Sequence, residues 1–232
     1  MTAILSNLQA VQRAIAAEAS AAGRRGDAVR LLAVSKTFGA DAVREAWAAG
    51  QSAFGENYLQ EALDKIDTLR DLPVEWHFIG PIQSNKTRPI AENFAWVHSV
   101  DRLKIAERLS AQRPAHLPPL NICLQVNVSG EASKSGVAPD DLLPLARAVA
   151  GLPHLRLRGL MAIPAPAADE EAQRVPFARM RGWLEFLNRQ GLQLDTLSMG
   201  MSHDFAAAIR EGATIVRIGT AIFGTRHQGE KK

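Results

Sequence analysis

Leu31-Leu32-Ala33-Val34-Ser35-Lys36 is an unbroken apolar run that stops at a lysine. A strand with one wet face alternates apolar and polar residues, so a continuous run predicts a strand covered on both faces, as in a parallel sheet. Seven further short apolar runs follow, at Ser52–Gly55, Trp76–Gly80, Trp96–Val100, Ile122–Val128, Leu157–Ile163, Thr196–Met199 and Ile215–Ile218. Helical patterns separate them, among them Asp41–Ala49, Asp101–Gln112, Pro139–Ala150, Phe177–Gln190 and Asp204–Glu211, with acidic or proline starts and glycine stops. Eight strands alternating with helices predict an α/β protein with a parallel sheet, and eight is the number that closes a (β/α)8 barrel. An open doubly wound sheet is the alternative. Closure is favoured because no G-x-G-x-x-G turn follows the first strand and no long linker interrupts units of similar length. Ahead of the first strand, Leu5, Leu8, Val11, Ile15 and Ala16 recur near a 3.6-residue period up to Gly23. They predict an extra N-terminal helix over residues 3–22, with an apolar face that needs a partner.

The composition narrows the class. With 232 residues, 47% of them hydrophobic and 22% charged, the chain has enough apolar material for a packed core, which excludes disorder as its main state. No run reaches 18 apolar residues and Met1–Ala22 lacks the charge order of a signal peptide, so a cytoplasmic protein without a membrane span is expected. The single cysteine, Cys123, excludes an internal disulfide and a zinc framework; in its apolar strand it reads as a small core residue. A formal charge of +3 without a run of like charges or interleaved aromatics gives no specific support for nucleic-acid binding.

In a barrel of this kind, function sits at the C-terminal ends of the strands. Lys36 ends the first strand. There it either snorkels to solvent or, partly desolvated, serves as an amine nucleophile suited to Schiff-base chemistry. Ser198-Met199-Gly200-Met201-Ser202 after the seventh strand and Gly219-Thr220 after the eighth bring hydroxyls and close backbone approach to the usual phosphate position of such barrels. Singly, Ser202 reads equally as a helix N-cap and Gly219 as a turn. Arg217, inside Thr214-Ile215-Val216-Arg217-Ile218, needs an acceptor: either a ligand, or a carboxylate such as Glu56 or Asp204. An amine, a phosphate cup and an acceptor-seeking arginine together describe pyridoxal 5′-phosphate (PLP), with its aldehyde, phosphate and ring nitrogen.

From Leu31 to Gly224 the sequence resembles the YggS/PROSC family of PLP homeostasis proteins. The resemblance rests on six ordered blocks: Ala33-Val34-Ser35-Lys36-Thr37, Phe54-Gly55-Glu56-Asn57-Tyr58, His77 to Lys86, Asn127-Val128-Ser129-Gly130-Glu131, Ser198 to Ser202, and Arg217-Ile218-Gly219-Thr220. It implies a single TIM-barrel domain over residues 1–232, similar to the N-terminal barrel of alanine racemases, with PLP as a Schiff base on Lys36. By the same resemblance Ser198, Gly219 and Thr220 match phosphate-binding positions, Gly200 lies in the same cup, Arg217 faces the pyridine nitrogen and Asn57 lies near the cofactor. The family is regarded as buffering or delivering PLP, with PLP-dependent apoenzymes as partners, and a monomer is expected.

The alternative is a PLP-dependent amino-acid racemase. Racemisation needs a second acid/base on the opposite face of the substrate α-carbon. Racemase-like relatives take theirs, a tyrosine, from an additional β-domain, whereas the only tyrosine here, Tyr58, follows the second strand. A protein without efficient catalysis of its own is therefore expected. Of the histidines, His77 reads as a hydrogen-bonded core residue, His203 sits beside the presumed cup, and His98, His116, His154 and His227 show no partner pattern. Lys86, Arg88, Lys134 and Lys231-Lys232 read as solvated charges.

Overall fold

The computed structural model describes residues 2–130 and 135–224. Glu131, Lys134, His227 and Lys231-Lys232 lie outside the described residues. Eight parallel strands, β1 (Arg30–Val34), β2 (Ala53–Glu56), β3 (Glu75–Phe78), β4 (Trp96–Val100), β5 (Leu120–Gln125), β6 (Leu155–Met161), β7 (Thr196–Ser198) and β8 (Ile215–Ile218), form a closed barrel in sequence order. β1 closes on β8, with Arg30 opposite Ile215 and Ala33 opposite Ile218. Closure leaves no sheet edge, and the continuous apolar runs are explained because each strand is covered inside and out.

The outer ring comprises α2 (Ala40–Ala48), α3 (Leu59–Thr68), α4 (Thr87–Asn93), α5 (Leu103–Gln112), α6 (Leu142–Ala150), α7 (Glu170–Arg189), α8 (Phe205–Arg210) and the short α9 (Thr220–Phe223). The N-terminal helix, α1 (Ala3–Ala21), buries Leu8, Val11, Ile15 and Ala19 against α8, α9 and α2, which supplies the partner its apolar stripe needs. Asn7 Nδ2 donates to the carbonyl of Ile222 at 3.0 Å and ties α1 to the last turn. α7 begins at Glu170, seven residues ahead of the expected Phe177. Asp169 Oδ1 accepts from the Ala172 amide at 2.8 Å and caps the helix there, and Pro176, which stands immediately before the expected start, lies inside the helix.

Two apolar regions result. The larger one lies between strands and helices. The smaller one is inside the barrel, where Leu32, Val34, Ala53, Ile79, Trp96, Cys123, Met161 and Ile215 meet. The interior also holds polar side chains: His77, His98 and Ser198 are fully buried and Arg217 is 4% exposed. Burying these groups is costly unless each is hydrogen-bonded, and every one of them is.

Candidate functional site

A cavity of about 410 Å³ opens at the C-terminal mouth of the barrel, lined by residues that include Lys36, Asn57, Arg217, Gly219 and Thr220. Five of the seven residues singled out from sequence are thus brought together. Met201, Ser202 and His203 complete the side formed by the β7–α8 loop. Ser198 and Gly200 are not on this wall.

Lys36 follows β1 directly, and both its neighbours are fixed. Ser35 Oγ donates to Glu56 Oε1 at 2.6 Å, and Lys65 Nζ donates to the Ser35 carbonyl at 2.8 Å, to Glu56 Oε1 at 2.7 Å and to Glu61 Oε1 at 2.7 Å. On the other side the Thr37 amide donates to the same Glu61 oxygen, and Thr37 takes a left-handed φ of 69°. That conformation costs a non-glycine residue about 1–2 kcal/mol. Lys65, α3 and the end of β2 therefore hold the turn that presents Lys36. Phe38 stacks on Phe223 with ring centroids 5.1 Å apart, which fastens the same loop to α9.

Arg217 is held by neutral acceptors that neither sequence reading named. Its Nη1 donates to the Ser198 carbonyl at 2.6 Å and to Ser198 Oγ at 2.8 Å, and its Nη2 donates to the Ala162 carbonyl at 2.9 Å. Neither expected carboxylate pairs with it: Glu56 is taken by Ser35 and Lys65, and Asp204 Oδ1 accepts from the Met201 amide at 2.6 Å. Burial lowers its pKa to about 10, partly offset by the charge of Asp204, so the guanidinium stays positive at neutral pH with only neutral acceptors around it.

Gly219 approaches β1 so closely that a Cβ there would lie 2.9 Å from the Val34 carbonyl oxygen, and both residues line the cavity. Gly200 has φ +94°, and a Cβ on it would lie 2.6 Å from Ala208 Cβ. Its role is in the turn, where its carbonyl accepts from the Arg217 amide at 2.9 Å. Ser198 points into the barrel, where His98 Nδ1 lies 2.7 Å from its hydroxyl. The serine of the β7–α8 loop that lines the cavity is Ser202; the α8 N-cap is Asp204, so the N-cap reading of Ser202 does not hold.

The expectation that His98 lacks a partner is corrected. His98 Nε2 lies 2.9 Å from His77 Nδ1, and its other nitrogen meets Ser198. The missed signal is strand parity: with Trp96 pointing inward, His98 two residues on must do so as well. His77 is the buried, hydrogen-bonded core histidine that the sequence suggests. Among the described residues there is no cluster of His, Cys, Asp or Glu able to hold a metal ion, and no helix is long and apolar enough to cross a membrane.

Residues 6–227 match the family model of the alanine racemase N-terminal domain. The pyridoxal phosphate homeostasis protein of Pseudomonas aeruginosa is 68% identical over 229 residues, covering 99% of this chain and 98% of the relative. The chain belongs to this family. Among solved structures, PipY of Synechococcus elongatus with PLP bound superposes with a TM-score of 0.80 at 41% identity, covering 90% of this chain and all of that one. Alanine racemase from Corynebacterium glutamicum shares the fold, with a TM-score of 0.66 at 21% identity, covering 99% of this chain and 63% of the racemase.

Proposed function

We propose that this chain is an intracellular PLP homeostasis protein: it binds PLP in the barrel mouth, attaches it covalently at Lys36, and buffers or delivers it to PLP-dependent apoenzymes without efficient catalysis of its own. The carrying observation is the meeting of Lys36, Arg217, Gly219 and Thr220 around one cavity, on a chain 41% identical to a protein solved with PLP bound. The residues fit the group. Asn57 Oδ1 is buried with no hydrogen-bond partner, which leaves an acceptor for a ligand donor. Gly219 lines the cavity where a Cβ would crowd the Val34 carbonyl, and among the described residues Arg217 has no carboxylate partner. The reading takes residues 1–232 as one PLP-binding domain acting as a monomer in the cytoplasm.

PLP, when bound, supplies an aldehyde that takes an amine and a pyridine ring that withdraws electrons. Lys36 provides the amine from a turn held by Lys65 and Glu61. Thr220 and Ser202 provide hydroxyl donors, and Gly219 a close backbone, for the phosphate. Gly200 shapes that loop, and Ser198 acts on the cofactor through Arg217. Arg217, itself positive, would disfavour a proton on a ring nitrogen held beside it, which would weaken the ring as an electron sink.

His203 is the one observation that favours the racemase alternative. It lines the same cavity as Lys36 and is a side chain of a type able to exchange a proton, the second acid/base that racemisation needs. Tyr58 is 54% exposed and stands off the cavity wall.

The test is an absorption titration of the purified protein with PLP, followed by gel filtration. One PLP retained per chain with a shifted visible band supports the proposal; recovery of free PLP alone defeats it.

A further inference from the structure

Four buried side chains from four different strands join the cavity to the opposite end of the barrel. Arg217 Nη1 meets Ser198 Oγ at 2.8 Å, Ser198 Oγ meets His98 Nδ1 at 2.7 Å, and His98 Nε2 meets His77 Nδ1 at 2.9 Å. His77 Nε2 then meets Glu75 Oε1 at 2.6 Å, and Glu75 pairs at the surface with Arg30 at 2.6 Å. Within this path only Glu75 and Arg30 have substantial solvent contact.

The donors and acceptors admit one assignment when both imidazoles are neutral. Arginine only donates, so Ser198 Oγ accepts from Arg217. At the far end, burial raises the pKa of Glu75, but the hydrogen bond and charge of His77 and the charge of Arg30 outweigh it, and with His77 neutral the Arg30 ion pair at 2.6 Å keeps the carboxyl ionised. An ionised carboxylate only accepts, so His77 carries its proton on Nε2 and accepts at Nδ1. His98 then donates from Nε2 and accepts at Nδ1, where the Ser198 hydroxyl donates. Desolvation lowers the pKa of both histidines, against the opposing influence of Glu75 on His77, and the neighbouring His77, Arg217 and Arg30 lower that of His98 further. Cys123 and Asp204 are the remaining titratable groups acting on Arg217, and neither breaks the path. Every bond thus runs the same way, from Arg217 to Glu75.

We propose that this chain is a one-directional hydrogen-bond relay, in which His98, supported by His77 and Glu75, is a positioning residue that sets the Ser198 hydroxyl and through it the guanidinium of Arg217 toward the cofactor ring. The proposal rests on the PLP reading for its consequence, but not for its geometry. A protonated His77 would donate to His98 and reverse each bond as far as Ser198, leaving that hydroxyl accepting from both sides. The direction of the relay is therefore a property that can be measured without cofactor.

The experiment has two parts. In protein without PLP, labelled with 15N at the histidine ring, long-range proton–nitrogen correlation at pH 7 should show His77 and His98 both neutral with the proton on Nε2. A proton on Nδ1 of either ring, or an imidazolium, overturns the relay. In the PLP-loaded protein, His98→Gln retains an acceptor for Ser198 and a donor for His77, whereas His98→Leu retains neither. The glutamine variant should keep the wild-type visible band and PLP dissociation rate; the leucine variant should shift the band and release PLP about tenfold faster. Equal behaviour of the two overturns the positioning role. Should His98→Leu fail to fold, Ser198→Thr against Ser198→Ala makes the same comparison, the hydroxyl variant matching wild type. A wild-type protein that retains no PLP defeats the cofactor reading and the positioning role together, while the ring tautomers still decide the relay.

Discussion

Ser198 Oγ and His98 Nδ1 lie 2.7 Å apart inside the barrel, although a hundred positions separate the two residues in the chain. The contact draws the Ser198 side chain away from the cavity and commits it to Arg217. It separates the two serines at the end of β7 and in the loop that follows: Ser202 lines the cavity, and Ser198 faces the barrel interior beneath it.

That division predicts distinct responses to ligand phosphate. Ser202→Ala and Thr220→Ala should each weaken PLP binding by about 1.5–3 kcal/mol, the usual worth of a hydrogen bond to a charged group, and leave pyridoxal nearly unaffected. Ser198→Ala should weaken both ligands alike, because its effect passes through Arg217. Equilibrium dialysis with PLP and pyridoxal separates these cases. A loss confined to PLP in Ser198→Ala would return Ser198 to the phosphate site.

Much of this was legible in the chain. The unbroken runs ending in Lys36 and near Arg217 carry the barrel and the position of its mouth, because burial on both faces of a strand leaves a pattern in residue order. That Ser202 and not Ser198 lines the cavity leaves no such pattern, since it depends on which way a three-residue strand points its last side chain. The contact of His98 with Ser198 was hidden for a related reason: Ser198 lies on β7, three strands away from β4, and only closure of the sheet brings the two together, whereas His77 lies on the neighbouring β3. Glu56 offered a plausible carboxylate for Arg217, yet it points outward to Lys65, which sequence reading did not single out.

Lys65 is 4% exposed and is bonded to Glu56, which is fully buried. Removing the ammonium leaves the carboxylate with Ser35 as its remaining bonded partner. Burial already raises the Glu56 pKa against the opposing influence of Lys65 and Ser35, so the carboxyl would take up a proton more readily still. Lys65→Met should cost about 3–5 kcal/mol in urea unfolding, as for a buried ion pair broken on one side. Pairing it with Glu56→Leu should recover part of the loss. A single variant within about 0.5 kcal/mol of wild type, the usual range for surface substitutions, would contradict this account.

Cys123 is fully enclosed in the barrel, and burial pushes its thiol up to about 12. The thiolate, not the thiol, reacts with alkylating agents. Iodoacetamide at pH 8 should leave the native protein unmodified and label one site once urea unfolds it, as read by intact mass. Rapid labelling of the native protein would mean that the interior opens readily.

For catalysis, the PLP-loaded protein incubated with L-alanine and other L-amino acids should not invert them efficiently, as followed by chiral chromatography. One lysine returns a proton only to the face it removed it from. Turnover of about 1 per second or faster, the low end for ordinary enzymes, lost in both Lys36→Ala and His203→Ala, would replace the homeostasis reading with a racemase.

The central claim is that the amine presented by the Ser35-Lys36-Thr37 turn takes the cofactor. Borohydride reduction of the PLP-loaded protein, followed by proteolysis and mass spectrometry, measures it directly. The pyridoxyl mass is predicted on Lys36, at close to one per chain. A label on another lysine with Lys36 unmodified would contradict the assignment.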